Sequence, residues 1–242
     1  PIAETMTDIV SFYGPCGCVL ALNGEWGSGK TTFVNMWKQM LIEKGFKTLY
    51  FNAWTSDFSN DPLIAMIAEL KELNPKNDKI NNIASKVGRI ALSAGIDFIK
   101  AKTGIDCSNF NQTIEEASEI GKEYLKEFAN KKETIEEFKR EIKDFVAGST
   151  TEHPVVFIVD ELDRCNPHYA VAVLERIKHL FDIPNMIFIL AINKKELGHA
   201  IQGYYGSGNI NSDEYLRRFI DIDFTLPKPN LKEFCEYLFE EY

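Results

Sequence analysis

The chain has 242 residues, which is enough for one α/β domain with a complete core, or for a large domain with a small appendage. Its 45% apolar and 26% charged residues are ordinary for a globular protein, and a net charge of −9 disfavours direct binding to nucleic acid. The five cysteines are odd in number and include no Cys-x-x-Cys, so the sequence predicts neither a disulfide framework nor a zinc site, and a reducing, cytoplasmic compartment is expected.

The first third of the sequence alternates between strand and helix patterns. A wholly apolar run predicts a buried strand, and apolar residues three and four apart predict a helix. In chain order the predicted elements are a strand over Cys18–Leu22, a glycine turn over Gly24–Gly29, a helix over Thr31–Ile42, a strand over Lys47–Asn52 and a helix that Asp61 caps and that runs from Pro62 through Leu70.

Residues 75–150 are predicted to be an all-helical insertion. Thr113-x-x-Glu116 and Thr134-x-x-Glu137 are both capping-box patterns. An apolar stripe follows the second box and predicts an amphipathic helix packed on the protein. The most apolar long stretch, Ile83–Ile105, contains five charged residues, too many for a membrane span, which leaves membrane association open.

The second half repeats the alternation. The β-branched run Val155–Val159 predicts a strand buried on both faces. The other predicted elements are a helix from Asn166-Pro167 that ends before Pro184, a strand over Met186–Ile192 with a helix after it, a helix over Tyr215–Phe219 and a last strand over Ile220–Phe224. Residues 1–229 are therefore expected to form one domain, and residues 230–242 to begin a further helical region that continues beyond the sequence.

This order of elements predicts an α/β fold with a mostly parallel sheet flanked by helices. Ligands of such sheets bind at the carboxyl ends of the strands. The polar residues singled out below all follow predicted strands or precede the last one.

The glycine turn carries a phosphate-binding motif. Its glycines let backbone N–H groups converge on a phosphate, and the N-terminus of the next helix faces the same anion. Lys30 is expected to reach the β- and γ-phosphates, and Thr31 to offer its hydroxyl to Mg²⁺. The strand–loop–helix context makes a ligand-free glycine turn much the weaker interpretation. The segment that matches G-x-x-x-x-G-K-[ST] is Gly24-Glu25-Trp26-Gly27-Ser28-Gly29-Lys30-Thr31, with Thr32 next.

Acidic residues follow the strand at Val155–Val159. Asp160 is placed to hold the Mg²⁺ shell, and Glu161 to polarise a water molecule against the γ-phosphate. Asp163 and Arg164 come next. The alternative is an acidic N-cap region for the following helix, but the phosphate motif favours the catalytic interpretation.

Two further positions are candidates for contact with the γ-phosphate. Asn193 ends the strand at Met186–Ile192, although a strand-ending Asn without that role is nearly as well supported. Arg218, or its neighbour Arg217, is placed to complete a site across a subunit interface. The alternative is that these arginines pair with nearby acids, namely Asp213, Glu214, Asp221 or Asp223.

Together these motifs resemble the KAP family of P-loop NTPases, which belongs to the ASCE division that also holds the AAA+ ATPases. The resemblance spans Ile9 to Pro229 and implies the sheet order 5-1-4-3-2. It also implies that Glu161 or Asp163 is the water-activating acid; Glu161 stands where the family often has a second aspartate. The segments that carry it are Leu22–Thr31, Phe51-Asn52-Ala53-Trp54 with Asp61-Pro62-Leu63, Val159–Cys165 and Tyr215–Phe219 with Leu226-Pro227.

The resemblance also implies roles in bacterial defence against phage or in membrane-associated signalling. Its members usually carry hydrophobic segments between the phosphate loop and the acidic strand, where this chain has the charged stretch Ile83–Ile105. A homo-oligomer and an effector domain or partner protein are expected.

Three functions are compatible with the sequence. The first is an ATPase that uses Mg²⁺ and couples hydrolysis to assembly or movement of effector modules. The second is a slow nucleotide switch with little turnover. The third is a GTPase, because Asn193-Lys194-Lys195-Glu196 imitates the guanine-reading N-K-x-D motif, but Asp160-x-x-Asp163 lacks the glycine of D-x-x-G. ATP is therefore the expected nucleotide.

Overall fold

A computed structural model of the chain describes residues 1–58, 61–73, 133, 135–148, 152–180, 183–206 and 210–227. The chain divides into two compact units. The first unit comprises Pro1–Pro62 and Ser149–Tyr242, and the second comprises Leu63–Gly148. The helical insertion predicted at about 75–150 falls almost wholly on the second unit, and much of it lies outside the described residues, as does the predicted helical region at 230–242.

The first unit is built on a five-stranded sheet in which all neighbouring strands are parallel. The order is β2-β3-β4-β1-β5, which is the predicted order 5-1-4-3-2 counted from the other edge, so the predicted fold class is confirmed. The strands are β1 (Cys18–Asn23), β2 (Thr48–Asn52), β3 (Val155–Asp160), β4 (Met186–Ile192) and β5 (Ile222–Thr225).

Burial along each strand follows its place in the sheet. The inner strands β3 and β4 are buried at every residue, which is why their sequences are nearly unbroken apolar runs. The edge strands β2 and β5 alternate between more and less buried residues, because one face of an edge strand is less completely covered.

Five helices of the first unit are described: α1 (Ile2–Tyr13), α2 (Lys30–Glu43), α5 (Pro167–Leu180), α6 (Lys194–Tyr205) and α7 (Ser212–Leu216). In the core cluster, Met6 and Val10 of α1 and Trp37 of α2 pack with apolar residues of β1, β3 and β4. The Trp37 indole also donates to the Thr7 hydroxyl over 3.0 Å, which ties the two helices together. Helix α1 was not among the elements predicted from the sequence.

The structure corrects two predictions near the end of the sheet. The helix predicted over Tyr215–Phe219 is instead α7, which Asn211 caps through its side chain and which ends at Leu216 before a turn. The strand predicted over Ile220–Phe224 begins two residues later. At Asp221 the side chain accepts the Val19 N–H over 2.8 Å, so ladder pairing starts only at Ile222.

The second unit contains all of α3 (Pro62–Lys71) except its first residue, and a helix, α4, over 135–148. Helix α3 begins at the proline that the sequence placed at its first position, as predicted. In α4 the predicted apolar stripe is buried at Phe138, Ile142 and Phe145. Within the described part of the chain, no helix combines the length and the apolarity that a membrane crossing needs. The stretch Ile83–Ile105 lies outside those residues.

Candidate functional site

Strand register brings the candidate residues to one edge of the sheet. Asn52, the last residue of β2, is paired with Asp160, the last residue of β3, and Asn23 at the end of β1 is paired with Ile192 at the end of β4. The segments that follow these strand ends therefore leave the sheet side by side.

The phosphate loop, residues 24–31, leaves β1 at this edge. The Gly24 N–H donates to the Ile192 carbonyl over 3.1 Å, which fixes the base of the loop to β4. Gly27 and Gly29 have φ values of 75° and 84°, in the left-handed region that glycine adopts without strain. No atom lies within 4 Å of a Cβ built on either of them, so this side of the loop is open.

Lys30 is the first residue of α2 and is 9% exposed. Its Nζ donates to the carbonyls of Gly24 and Glu25 at 2.7 and 3.1 Å, so the ammonium lies against its own loop. Burial lowers the pKa of Lys30, and the nearby carboxylates of Asp163 and Asp160 offset part of that shift. The Lys30 ammonium thus lies against its own loop and within electrostatic range of Asp160 and Asp163.

The remaining polar side chains of the loop fit an anion. The Oγ of Ser28 is buried and has no hydrogen-bond partner among the described residues. A buried hydroxyl without a partner costs about 1–3 kcal/mol, which a phosphate oxygen would offset. Thr31 and Thr32 are exposed in the first turn of α2, where N–H groups lack helical partners. These features fit a polyphosphate better than an unliganded turn.

Asp160 is almost completely buried, with 1% of its surface exposed. Its Oδ2 accepts the Tyr50 hydroxyl over 2.9 Å, and its Oδ1 accepts the Glu161 N–H over 2.8 Å. Burial, followed by the charge of Asp160, raises the pKa of Tyr50, so the phenol remains a donor. The orientation of the carboxylate is therefore fixed by β2 as well as by its own strand.

Glu161 has an unusual backbone for a residue with a side chain, since its φ of 60° lies in the left-handed region. Its Oε2 accepts the Asn52 amide over 3.0 Å, and its Oε1 pairs with Arg164 NH1 at 3.1 Å. Both carboxylate oxygens are thus engaged, one from β2 and one from the turn that follows β3.

Asp163 lies in the single-turn helix Leu162–Arg164, and its Oδ2 accepts the Trp26 indole N–H over 2.5 Å. This bond joins the phosphate loop to the acidic turn, which we define as residues 160–164. On the other side of the turn, the guanidinium of Arg164 lies 5.5 Å from the centre of the Trp54 ring. The acidic turn therefore contacts two exposed tryptophans, Trp26 of the phosphate loop and Trp54 after β2.

Asn193 is the N-cap of α6, because its Oδ1 accepts the Glu196 N–H over 3.3 Å. Capping the helix thus accounts for the side-chain oxygen of Asn193 without any contact to a nucleotide. The side-chain amide nitrogen of Asn193 takes no part in the cap. The neighbouring Lys194 N–H is taken by Asn23 Oδ1 at 3.0 Å, which joins the end of β1 to the start of α6.

Arg217 and Arg218 are exposed in the turn after α7. Several acids considered as their partners are engaged elsewhere: Asp223 and Asp213 pair with Lys194 at 2.8 and 3.7 Å, and Asp221 accepts the Val19 N–H. Arg218 lies 5.8 Å from the centre of the Tyr215 ring. The structure therefore does not tie either arginine to those three acids.

Sequence reasoning missed Tyr50 and Asn52, the two residues of β2 that hold Asp160 and Glu161. One signal in the sequence could have identified them. Tyr50 and Asn52 carry polar groups at alternate positions of β2, on the face opposite the buried Phe51. Asn52 was noted within a sequence signature, without a role.

The donor set fits Mg²⁺ in the way expected for a nucleotide site. Within the described residues, no group of three or more His, Cys, Asp or Glu side chains forms a metal cage. Magnesium at phosphate sites needs only one or two protein oxygens, because phosphate and water supply the rest. The Thr31 hydroxyl is one suitable ligand. The Asp160 carboxylate is another, because it accepts two hydrogen bonds and has lone pairs left for a metal ion.

Comparisons with known proteins gave a distant relative, a solved structure and a matching family model. The phage T7 exclusion protein of Escherichia coli (strain K12) is 23% identical over 231 residues, a match that covers 87% of this chain and 30% of that protein. This chain thus spans less than a third of that relative. The Aeropyrum pernix ORC2 protein, solved as ADPNP–ADP complexes, aligns with a TM-score of 0.47 and 13% identity over 99% of this chain and 50% of its own. The model of the KAP family P-loop domain matches residues 1–242, so the chain belongs to the KAP family of P-loop NTPases.

Proposed function

We propose that the chain binds ATP with Mg²⁺ and hydrolyses it. The observation that carries the proposal is the phosphate loop, in which Lys30, the Ser28 hydroxyl and two left-handed glycines lie together at the N-terminus of a 14-residue helix. Among the described residues that hydroxyl has no hydrogen-bond partner. Family membership makes nucleotide binding and hydrolysis the general expectation, and the geometry supports the specific assignment.

Each residue of the site has a distinct role in this proposal. Lys30 exchanges its bonds to the carbonyls of Gly24 and Glu25 for oxygens of the β- and γ-phosphates. Thr31 and Asp160 hold Mg²⁺, with Asp160 oriented by Tyr50. The metal would neutralise negative charge on the phosphates. Among these side chains, Lys30 supplies the positive charge.

Glu161 is proposed as the general base that takes a proton from the attacking water. A carboxylate does this with a free lone pair directed at the water; Asn52 and Arg164 each hold one of its oxygens, and each oxygen keeps a further lone pair. Turnover therefore requires one of these lone pairs to face the attacking water while the two contacts restrain the carboxylate. The amide nitrogen of Asn193 is proposed to contact the γ-phosphate or the same water.

The restrained Glu161 also favours a second candidate, a slow nucleotide switch with little turnover. In that case binding controls assembly, and hydrolysis only resets the protein. The two candidates differ in a measurable way, because a switch binds ATP tightly while releasing phosphate slowly.

Arg218, or Arg217, is proposed to act in trans on the γ-phosphate held by an adjacent copy. The support is that both arginines are exposed and that three of the nearby acids are engaged elsewhere. An arginine supplied on assembly accelerates phosphoryl transfer by a factor on the order of a thousand. Mixing tests this: inactive Lys30→Ala subunits should restore activity to inactive Arg218→Ala subunits. No gain on mixing, with wild-type specific activity independent of concentration, would refute it.

We further propose that the nucleotide state controls the assembly or movement of effector modules in defence against phage. The support is the name of the E. coli relative, a phage T7 exclusion protein, of which this chain matches 30%. The effector would then be a further domain or a partner protein.

Calorimetry with ATP and Mg²⁺ tests the central proposal. Lys30→Ala should greatly weaken binding and abolish phosphate release, because it removes the loop's cation. Lys44→Ala is the matched control, since it deletes an exposed lysine at the other end of the same helix. Equal affinity in folded Lys30→Ala and wild-type protein would remove this loop from the nucleotide site.

A further inference from the structure

The Trp26 side chain has a position that hydrophobic burial does not explain. It stands within the phosphate loop and is 56% exposed, so more than half of its apolar surface gains nothing from the core. Its indole N–H nevertheless makes a 2.5 Å hydrogen bond to Asp163, which is 137 residues away in the sequence. The contact that defines its position is therefore polar.

Asp163 is correspondingly tied to the phosphate loop. Its Oδ2 accepts the indole N–H, so a movement of this carboxylate that broke the bond would also release the loop. The negative charge of Asp163 also offsets part of the lowering that burial imposes on the pKa of Lys30. Asp163 thus acts on the loop at two places.

We propose that the Trp26–Asp163 hydrogen bond is a latch that holds the phosphate loop in its nucleotide-binding shape, which makes Asp163 a positioning residue and leaves Glu161 as the base. The inference rests on the proposed nucleotide site and assigns two of its residues a role that the sequence motif does not specify.

The physical reason is the flexibility of glycine. Three of the loop's first six residues are glycine, and nothing lies within 4 Å of the Cβ positions of Gly27 and Gly29. Such a loop loses much conformational freedom when it closes on a phosphate. An anchor at Trp26 removes part of that freedom before the nucleotide arrives, and preorganisation of this kind improves affinity.

The latch also connects the loop to the proposed base. Asp163 and Arg164 are adjacent in the turn Leu162–Arg164, and Arg164 pairs with Glu161 at 3.1 Å. The same turn therefore holds the phosphate loop through one residue and the base through the next.

Three substitutions test the latch by calorimetry and by steady-state phosphate release. Trp26→Phe keeps an aromatic ring and loses the N–H donor. Asp163→Ala and Asp163→Asn both remove the charge, but only asparagine keeps an oxygen that can accept the indole proton. This pair separates the hydrogen bond from the electrostatic effect on Lys30.

We expect Trp26→Phe and Asp163→Ala to weaken ATP affinity by about tenfold each, and Asp163→Asn by about threefold. The double variant Trp26→Phe with Asp163→Ala should bind ATP no more than about threefold more weakly than either single variant, because both substitutions remove the same hydrogen bond. The deficit should appear in KM, with kcat at saturating ATP reduced by less than about threefold.

The outcomes distinguish the latch from the nucleotide site itself. If wild-type protein binds ATP and Trp26→Phe binds it equally well, the latch is refuted and the proposed function stands. If Asp163→Asn binds ATP but releases no phosphate, Asp163 is the base and the positioning role is refuted. If wild-type protein binds no ATP, the proposed function and the latch fail together.

Discussion

Tyr50→Phe tests whether β2 orients the acidic end of β3. The substitution removes one hydroxyl and keeps the ring. That hydroxyl donates over 2.9 Å to Asp160, and at 1% exposure of Asp160 little water is available to replace it. A hydrogen bond to a charged acceptor contributes about 1.5–3 kcal/mol, so we expect the free energy of unfolding to fall by about 2 kcal/mol.

Tyr169→Phe is the matched control. Tyr169 is 3% exposed, and its hydroxyl has no hydrogen-bond partner among the residues that the structure describes. Its removal should leave the free energy of unfolding within about 0.5 kcal/mol of wild type or raise it slightly. Urea denaturation of the three proteins at pH 7 measures both effects from the midpoints, provided that the slopes agree.

The same hydroxyl should affect the proposed metal site. Residues that orient a metal ligand typically change metal affinity by about 10- to 100-fold when they are removed. Tyr50→Phe should therefore raise the Mg²⁺ concentration needed for half-maximal ATP binding by at least about tenfold. A Tyr50→Phe protein as stable as wild type, or a Tyr169→Phe protein equally destabilised, would refute the reasoning.

Three further predictions concern the base, the nucleotide and pH. Glu161→Gln should bind ATP and release no phosphate; normal release from this variant would exclude Glu161 as the base. Asn193→Ala should lose about 1 kcal/mol of stability with its helix cap and still prefer ATP to GTP in competition, whereas a wild-type GTP preference lost in the variant would favour the GTPase. Burial raises the pKa of Cys165 from 9.0 to about 12. Because the unfolded thiol ionises first, stability should fall as pH rises above 9, with a shallower fall in Cys165→Ala under urea denaturation at pH 8 and 10. An equal fall in both proteins would contradict it.

The inner strands of the sheet were predictable because their environment is uniform. Strand β4 is buried at all seven residues, so its sequence is wholly apolar and its predicted bounds, Met186–Ile192, are confirmed. Helix α1 was missed for the opposite reason. Its buried stripe is only Met6, Thr7 and Val10, one of them polar, and it lacks a side-chain cap at its start.

The phosphate loop was recognisable because its chemistry lies within eight consecutive residues. The contacts that shape the rest of the site join residues far apart in the sequence. Tyr50 meets Asp160 across 110 positions, and Trp26 meets Asp163 across 137. Periodicity and local motifs carry no information on such pairs, because sheet register and loop packing bring them together.

The left-handed backbone at Glu161 limits which side chains selection or engineering can place there. At a φ of 60° glycine is relaxed, asparagine and aspartate are tolerated, and β-branched residues are strongly excluded. The side chain must also be long enough to accept the hydrogen bond from the Asn52 amide, which Glu161 does at 3.0 Å. Aspartate tolerates the left-handed backbone, but its side chain is one methylene shorter than that of glutamate. A saturation library at position 161 should therefore separate into variants that fold well and variants that reach Asn52, with few that do both.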